Sequence, residues 1–536
     1  MRRSLAHLQA GEFIYQQPAF PDVEYTFKHA LTQEVAYNSL LIERRKVVHE
    51  RAAQAMEEVY RYRLEDHYND LAHHYSRSGN TQKAVDYLQL AGQQAVQHSA
   101  NAEAVSHLTT ALELLKSVAD TPERAQQEIT LQIALGVPLM ATQGFAAPEV
   151  ERIYTRARDL CQQIGETPQL FPVLVGLWLF YSTGGKFQTA RELGERCLTL
   201  AQRVQDPSLL IPAYNVLGET LWWLGEFALA REHLEQGIAL YDPQQHRSLA
   251  FLYGGYDHGT AGLFNAAFAL WYLGHPDQAL KRSHEALTLA QELSHPFSLA
   301  SALDMAAWLH QLRQEGQAAQ ARAEAAMTLS TEQGFAQWLG VGTVLRGWAL
   351  AEQGQREEGI TQMRQGLADL RAIGSEIERP FFLALLAEAY GKGGQAEEGL
   401  SLLAEALAFV DKTGERFYEA ELYRLRGELT LQLEARGWRL ETSSPSPQAS
   451  SLKPPVSSGA EQEAERYFLK AIDIARKQQA KSLELRATMS LARLWQQQDK
   501  KTEAHQMLSE IYNWFTEGFD TADLQEAKAL IEELSH

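Results

Sequence analysis

The chain has 536 residues, of which 45% are hydrophobic and 22% are charged, and its formal net charge at pH 7 is −19. Because this length exceeds what one compact core usually serves, several domains or a repeat array are expected. The negative charge disfavours a sequence-independent grip on nucleic-acid phosphates and binding to anionic membrane surfaces. We therefore expect no nucleic acid contact by this chain and no membrane association.

The cysteine content and the N-terminal residues bear on the compartment. The two cysteines, Cys161 and Cys197, imply no disulfide framework, which fits a reducing environment. The opening residues, MRRSLAHLQAGEF, lack the apolar run of a signal peptide, and no later run reaches the length of a membrane span. The sequence therefore predicts a cytoplasmic protein.

Residues 1–28 differ from the rest of the chain. A short helical stretch, RRSLAHLQ, precedes EFIYQ and VEYTF, two strand-like segments that are joined by the proline-containing turn QPAFPD. A helix followed by a β-hairpin has the shape of the end of a winged-helix domain. We interpret residues 1–60 as a winged-helix remnant with a connecting helix, and expect the chain to begin inside a larger architecture.

A pattern of small residues recurs after the turns between helices. In WYLGHPDQALKRSHEALTLA, an aromatic helix end leads to Gly274, and Pro276 and Asp277 suit the start of the next helix. Ala279 and Ala286 then follow five and twelve places after the glycine. Small residues at these two positions let the paired helices approach closely, as in helix–turn–helix repeats.

The same frame occurs several times along the chain. The turn residues that start it are Gly79, Gly185, Gly225, Gly274, Gly316, Gly354, Gly394 and Asp499. From Gly185 to Gly394 the intervals are 40, 49, 42, 38 and 40 residues, against about 34 in a standard tetratricopeptide repeat. HEAT-like repeats share this longer period, but the frame of small residues favours the tetratricopeptide pattern.

The sequence thus predicts an all-α fold, a right-handed superhelical solenoid of tetratricopeptide-like helical hairpins with a small winged-helix remnant (the β-hairpin) at the N-terminus. Residues 61–166 hold the first, divergent repeats, and residues 167–436 form the regular array. Residues 437–460, rich in Ser and Pro, are predicted to be a disordered loop. Residues 461–536 form the last repeats and a C-terminal capping helix.

Three segments carry a resemblance to a known family. YTFKHALTQEVAYNSLLIERRKVVHERAA, LAHHYSRSGNTQKAVDYLQLAGQQA and WFTEGFDTADLQEAKALIEEL resemble the C-terminal tetratricopeptide-repeat region of bacterial class III adenylate/guanylate cyclase–STAND ATPase fusion proteins. The FKHAL…VAY…RR…H string is the most specific part, and the likeness extends over nearly the whole chain. It implies that residues 1–60 are the end of a truncated ATPase module, and that the catalytic domains lie N-terminal to this chain.

No catalytic constellation is recognisable in the sequence. It contains no G-x-x-x-x-G-K-[ST], H-E-x-x-H, C-x-x-C or G-x-S-x-G string, and the paired aspartates of a cyclase have no counterpart. His67, Asp70 and His74 are spaced as on one helix face, but one helix rarely supplies a closed metal-ligand shell. We therefore predict that the chain is not an enzyme and uses no cofactor and no metal.

Two groups of residues are candidates for contact with a protein or peptide ligand on the concave surface. First helices of such repeats tend to line that surface, and aromatic residues are favoured at binding hot spots, although they more often form core. The YGGYDH loop departs from the repeat rhythm, and it has His258 where the resembled family often has proline. The candidates are Tyr253, Tyr256, Asp257, His258, Trp178, Trp222 and Trp308.

The predicted function is a non-catalytic interaction and sensor array. The resemblance implies that it regulates an adjoining STAND-type ATPase, with or without an adenylate/guanylate cyclase, in bacterial signalling. Two alternatives remain: a free-standing tetratricopeptide adaptor or scaffold, and the sensor part of a transcriptional regulator.

Overall fold

The computed structural model describes residues 2–18, 23–165, 167–442 and 459–536. Within these ranges the chain has 26 α-helices and one two-stranded sheet, in two compact units. The first unit comprises Met1–Ala95 and Glu103–Leu131, and the second comprises Val96–Ala102 and Gln132–His536. The predicted fold class, an all-α superhelical solenoid with a small N-terminal β-hairpin, is confirmed.

The first unit begins with the hairpin. Strand β1 (Ile14–Pro18) pairs antiparallel with β2 (Val23–Phe27), so that Ile14 lies opposite Phe27. The helices of this unit are α1 (Arg2–Ala10), α2 (Ala30–Asn38), α3 (Ile42–Val59), α4 (Tyr68–Ser76), α5 (Thr81–Gln97), α6 (Asn101–Leu115) and the start of α7 (Pro122–Gln143).

The second unit consists of antiparallel helix pairs. Its first part contains α8 (Pro148–Ile164), α9 (Leu170–Thr183), α10 (Phe187–Val204), α11 (Pro207–Trp223), α12 (Phe227–Leu240), α13 (Pro243–His246), α14 (His258–Tyr272), α15 (Pro276–Leu293) and α16 (Pro296–Leu312). The array continues through α17 (Gly316–Gln333), α18 (Ala336–Glu352), α19 (Arg356–Ala372), α20 (Arg379–Lys392), α21 (Ala396–Thr413), α22 (Glu419–Thr442), α23 (Gly459–Lys477), α24 (Lys481–Gln497), α25 (Lys501–Tyr512) and α26 (Ala522–Leu534).

The Ser/Pro-rich segment lies between helices α22 and α23. Helix α22 continues to Thr442, beyond the predicted start of the loop at residue 437, and α23 begins at Gly459. The remainder of the predicted disordered loop, residues 443–458, lies outside the described residues. In the ranges that are described, no helix is long and apolar enough to cross a membrane.

Residues in the left-handed conformation separate the helices at a constant interval. They form two evenly spaced series, one of Gly165, Gly185, Gln205 and Gly225, and one of Gly254, Gly274, Ser294, Gln314, Gly334, Gly354, Gly374, Gly394 and Gly414. This conformation closes a helix by letting backbone N–H groups reach its last carbonyls, and glycine adopts it without steric cost. Within each series, the number of residues from one left-handed residue to the next is constant. Each helix and the turn that closes it therefore have the same combined length.

One predicted repeat boundary is wrong by two positions. The left-handed residue between α16 and α17 is Gln314, with φ of 60°, whereas Gly316 is the first residue of α17. Ala319 and Ala326 are consequently the buried members of the small-residue frame, while Thr328, twelve places after Gly316, is exposed. With Gln314 as the turn residue, the hairpins that follow Gly274 become equal in length.

Successive turns of the second unit's superhelix are in direct contact. The carbonyl of Thr183 accepts hydrogen bonds from the backbone N–H of Glu376 (2.9 Å) and of Ile377 (3.0 Å). The carbonyl of Trp223 accepts in the same way from Arg416 (2.9 Å) and Phe417 (3.2 Å). Such bonds join hairpins that are far apart in the sequence, so the inner face of this part of the array is enclosed.

Two glycines allow a tyrosine ring to fill the space between α7, α8 and α9. Tyr154 is fully buried, and a Cβ atom added at Gly136 or Gly176 would overlap its ring. The phenol therefore packs directly against the backbone of the flanking helices. Contacts this close leave no room for even one methyl group.

Substitution of Gly176 by alanine is expected to destabilise the second unit by about 1–3 kcal/mol, because Tyr154 cannot move aside without disturbing two neighbouring helices. Urea unfolding monitored by far-UV circular dichroism measures this loss. Gly316→Ala is the matched control, since its new Cβ would meet nothing closer than 3.6 Å and alanine is the better helix former. Equal unfolding midpoints for the two variants would contradict the packing argument.

Candidate functional site

The three candidate tryptophans lie in the interior of the second unit. Trp178 of α9 is buried, and its indole N–H donates to the hydroxyl of Thr220 at 2.8 Å. Trp222 of α11 and Trp308 of α16 are also buried, and neither indole nitrogen has a hydrogen-bond partner. None of the three lies on an open groove.

Trp222 and Trp308 belong to an aromatic cluster that joins successive turns of the array. Their ring centroids are 5.8 Å apart. Phe417, from the following turn, stacks on Trp222 at 4.7 Å, and Phe381 stacks on Trp308 at 4.5 Å. Stacked and edge-to-face rings at these distances add to the free energy gained from apolar burial, so the cluster holds the inner face closed.

The candidate loop lies in the repeat between Gly225 and Gly274, which is longer than the repeats beside it. Asp257 caps helix α14, since its carboxylate accepts from the N–H of Thr260 at 2.8 Å and from the hydroxyl of Tyr241 at 2.5 Å. Its own N–H donates to the hydroxyl of Ser298 at 2.8 Å. Burial raises the pKa of Asp257, although the donors to its carboxylate oppose the shift. The hydrogen bonds of this carboxylate therefore hold the loop in place.

His258 is also buried, and both of its ring nitrogens have partners within the fold. Its Nε2 donates to the carbonyl of Tyr253 at 3.1 Å, and its Nδ1 is 3.4 Å from the side-chain nitrogen of Asn215. Burial lowers its pKa to about 4, so the ring is neutral at physiological pH. Tyr253 packs edge-on against Phe171 at 5.5 Å. Among the loop candidates, Tyr256 alone reaches the cavity described next.

An inner cavity of about 50 Å³ lies between the first helices of the second unit. It has room for several water-sized molecules, since one needs about 10–15 Å³ by this measure. The structure brings three sequence candidates, Trp222, Tyr256 and Trp308, together at this cavity. The lining includes aromatic and polar side chains, among them Trp222, Trp223, Trp308, Trp338, Tyr256, Glu219, Glu378 and Gln337.

Two carboxyl groups line the inner cavity. Burial raises the pKa of Glu219 to about 7, and burial together with the charge of Glu219 raises the pKa of Glu378 to about 8. Asp304 and Glu415 are buried nearby, and burial and repulsion by Glu378 raise the pKa of each. Because the folded chain holds protons that the unfolded chain releases, these groups make it less stable as the pH rises from 4.5 towards 8.

Sequence reasoning missed the carboxyl groups of this site. Glu219 and Asp304 are single acidic residues within the apolar stretches LGETLWW and ASALDMAAW. A lone acid inside a buried first helix is the signal that could have found them, because an unpaired buried charge is costly. Glu378 and Glu415 lie in turns, where acidic residues are ordinary, so no local signal distinguishes them.

The histidine pattern in the first unit does not form one helical face. His67 ends a 3-10 turn before α4, and it is 3.4 Å from Asp70. His74 instead contacts His49, with their Nδ1 atoms 3.0 Å apart. In the ranges given above, no group of three or more His, Cys, Asp or Glu side chains is arranged to hold a metal ion.

The order and pairing of the helices define a helical-repeat protein of the tetratricopeptide type. The crystal structure of a Rap protein complexed with competence and sporulation factor superposes with a TM-score of 0.52 at 12% identity, covering 74% of this chain and 99% of that chain. The Cut9–Hcn1 hetero-tetramer of APC/C gives a TM-score of 0.50 at 12% identity, covering 94% of this chain and 86% of that chain. At such identities the likeness shows the fold alone.

The sequence comparisons give a longer relative. An uncharacterised protein of Rhizobium meliloti (strain 1021) is 26% identical over 410 residues, which amount to 76% of this chain and 39% of that protein. The chain therefore spans about two fifths of the length of the curated relative that it matches. No family model matches the sequence.

Proposed function

We propose that this chain is the interaction and sensor array of a bacterial signalling protein, in which it regulates an adjoining STAND-type ATPase, with or without an adenylate/guanylate cyclase. The observation that carries the sensor role is the inner cavity. First helices of several repeats wall it, and hydrogen bonds between successive turns enclose it. The ATPase context rests on the FKHAL…VAY…RR…H resemblance at the start of the chain.

The proposed mechanism couples ligand binding to the winding of the superhelix. A protein or peptide partner that reaches the inner surface must displace some of the contacts that Thr183 and Trp223 make with the next turn. A ligand shifts such an equilibrium by the difference between its affinities for the two states. The rewound array would then present altered contacts to the ATPase.

Deletion of residues 61–536 from the longer parent protein is expected to change its nucleotide turnover by about fivefold or more, the lower range of ordinary coupling energies. Steady-state ATP hydrolysis of the purified parent measures this effect. A matched control removes only residues 446–455, in the Ser/Pro-rich segment, so that a connection between α22 and α23 remains, and should leave turnover unchanged. If turnover does not respond to the larger deletion, the proposal fails and the free-standing adaptor becomes the better interpretation.

A further inference from the structure

The inner cavity contains hydrogen-bond acceptors that the protein does not satisfy. Glu378 is 4% exposed and lines the cavity, yet its Oε2 has no partner, and the same holds for Oε1 of Gln337. A buried acceptor without a donor costs about 1–3 kcal/mol, so these oxygens favour a ligand that brings N–H groups.

The charged residues that line the cavity indicate the sign of the charge on that ligand. Glu219 and Glu378 are its two carboxyl groups. Among its lining residues that the structure describes, none is a lysine, an arginine or a histidine. A cation entering the cavity would therefore meet two carboxyl groups, whose charged forms it would favour, and no competing positive charge.

The walls of the cavity suit a cation on an apolar stem. The cavity that the two carboxyl groups line is also lined by Trp222, Trp223, Trp308 and Trp338. The faces of indole rings attract ammonium and guanidinium groups, by about 2 kcal/mol or more when water is excluded, and the same rings can pack against methylene groups. The indole N–H groups of Trp308 and Trp338 lack partners.

The volume limits how much of the ligand can enter. A space of about 50 Å³ accommodates a head group with part of its stem, not a folded partner. The unsatisfied carboxyl oxygen and the indole faces together match the cationic end of a long side chain.

We propose that the inner cavity binds the primary ammonium or guanidinium group of a lysine or arginine side chain from a peptide ligand, with Glu378 and Glu219 facing the cation and the tryptophans enclosing its stem. This inference rests on the proposed sensor function and names the class of ligand that the array takes. Glu378 supplies the principal acceptor, because Glu219 already receives N–H groups from Trp223 (3.5 Å) and Asn265 (3.1 Å).

Titration of the full 536-residue chain with defined probes tests the proposal. The probes are a blocked alanyl-lysyl-alanine peptide, its Nε-acetyl-lysine counterpart, n-butylammonium and tetramethylammonium, each followed by tryptophan fluorescence and by calorimetry. We expect the lysine peptide to bind most tightly. The acetylated peptide lacks the charge and tetramethylammonium lacks N–H groups, so each should bind about tenfold or more weakly, as for a lost charged hydrogen bond.

Glu378→Gln is the variant that separates a specific site from non-specific binding. It keeps the size of the side chain and should weaken the lysine peptide about tenfold or more. Glu398→Gln makes the same substitution at an exposed position of α21 and should leave the affinity unchanged. Equal binding of the lysine and acetyl-lysine peptides, or full affinity in Glu378→Gln, would overturn the proposal.

The binding test is independent of nucleotide turnover. If the lysine peptide binds and the parent's turnover does not respond to deletion of the array, the cation site stands and the regulatory proposal fails. If turnover responds but the chain binds none of the probes, the cation site fails alone. Binding of n-butylammonium as tight as that of the peptide would overturn the assignment of a peptide as the source of the cation.

Discussion

Replacement of Trp308 by alanine is expected to lower the free energy of unfolding of the second unit by about 3–5 kcal/mol. The indole is 0% exposed and contacts rings from α11, α14 and α20 as well as Phe417. Because its nitrogen has no hydrogen-bond partner, the loss comes from packing and not from polarity. Urea unfolding monitored by far-UV circular dichroism measures the change.

Trp514→Ala provides the control for this loss. Trp514 is 40% exposed and lies near the C-terminal end of the array, where it packs beside His275 and Phe515. Its removal should cost about 1 kcal/mol, as is usual away from a core. If the Trp308 variant unfolds at the same urea concentration as the unaltered protein, the aromatic cluster does not stabilise the closed inner face.

Arg486→Met is expected to destabilise the second unit by about 3–5 kcal/mol, because it leaves the largely buried Asp523 without its cation and leaves the buried Glu421 with Arg424 alone. Arg486 is buried, and its guanidinium lies 2.9 Å from Asp523 and 4.0 Å from Glu421. It also donates to the carbonyl of Leu312 at 2.5 Å and covers the ring of Trp271. Thermal and urea unfolding at a fixed pH measure the loss.

The loss should depend on pH with a definite sign. Burial tends to raise the pKa of Glu421, but Arg424 and Arg486 outweigh burial and hold the pKa below its ordinary value. Without Arg486, the pKa values of Glu421 and Asp523 rise, so the folded variant retains protons that the unfolded chain releases. The difference in stability from the unaltered protein should therefore be larger at pH 8 than at pH 5.

Arg466→Met is the matched control. The side chain of Arg466 is 74% exposed, and its partner Glu463 is 4.0 Å away. Exposed ion pairs contribute about 0–1 kcal/mol, so this variant should unfold nearly as the unaltered protein does. Similar stabilities for the two arginine variants would show that the buried ion network does not contribute.

The repeat architecture was largely readable from local sequence. Glycine at the helix ends and small residues five and twelve places later placed most hairpins, because both requirements act within one repeat. The exception is Gln314, whose left-handed conformation costs energy that the surrounding helices offset. The glycine pattern therefore indicated Gly316, which lies two positions after the actual turn residue.

The inner cavity could be predicted only in part. Aromatic first helices drew attention to Trp222 and Trp308, and the structure places both of them at the cavity. Glu378 could not be found in this way, since it faces Glu219 only after the array has completed a turn. Its role depends on a pairing of distant hairpins, and no local period in the sequence encodes that pairing.

The contacts between turns also constrain how such an array can change its length. In an open solenoid each repeat touches only its neighbours, so duplication or loss of one repeat leaves every interface intact. Here Glu376 and Arg416 each bond to a carbonyl of the preceding turn, that of Thr183 or Trp223. Losing one hairpin in between would bring the wrong loops opposite each other. Gains in length are instead tolerated inside a single repeat, as in the longer one that carries Tyr256 into the cavity wall.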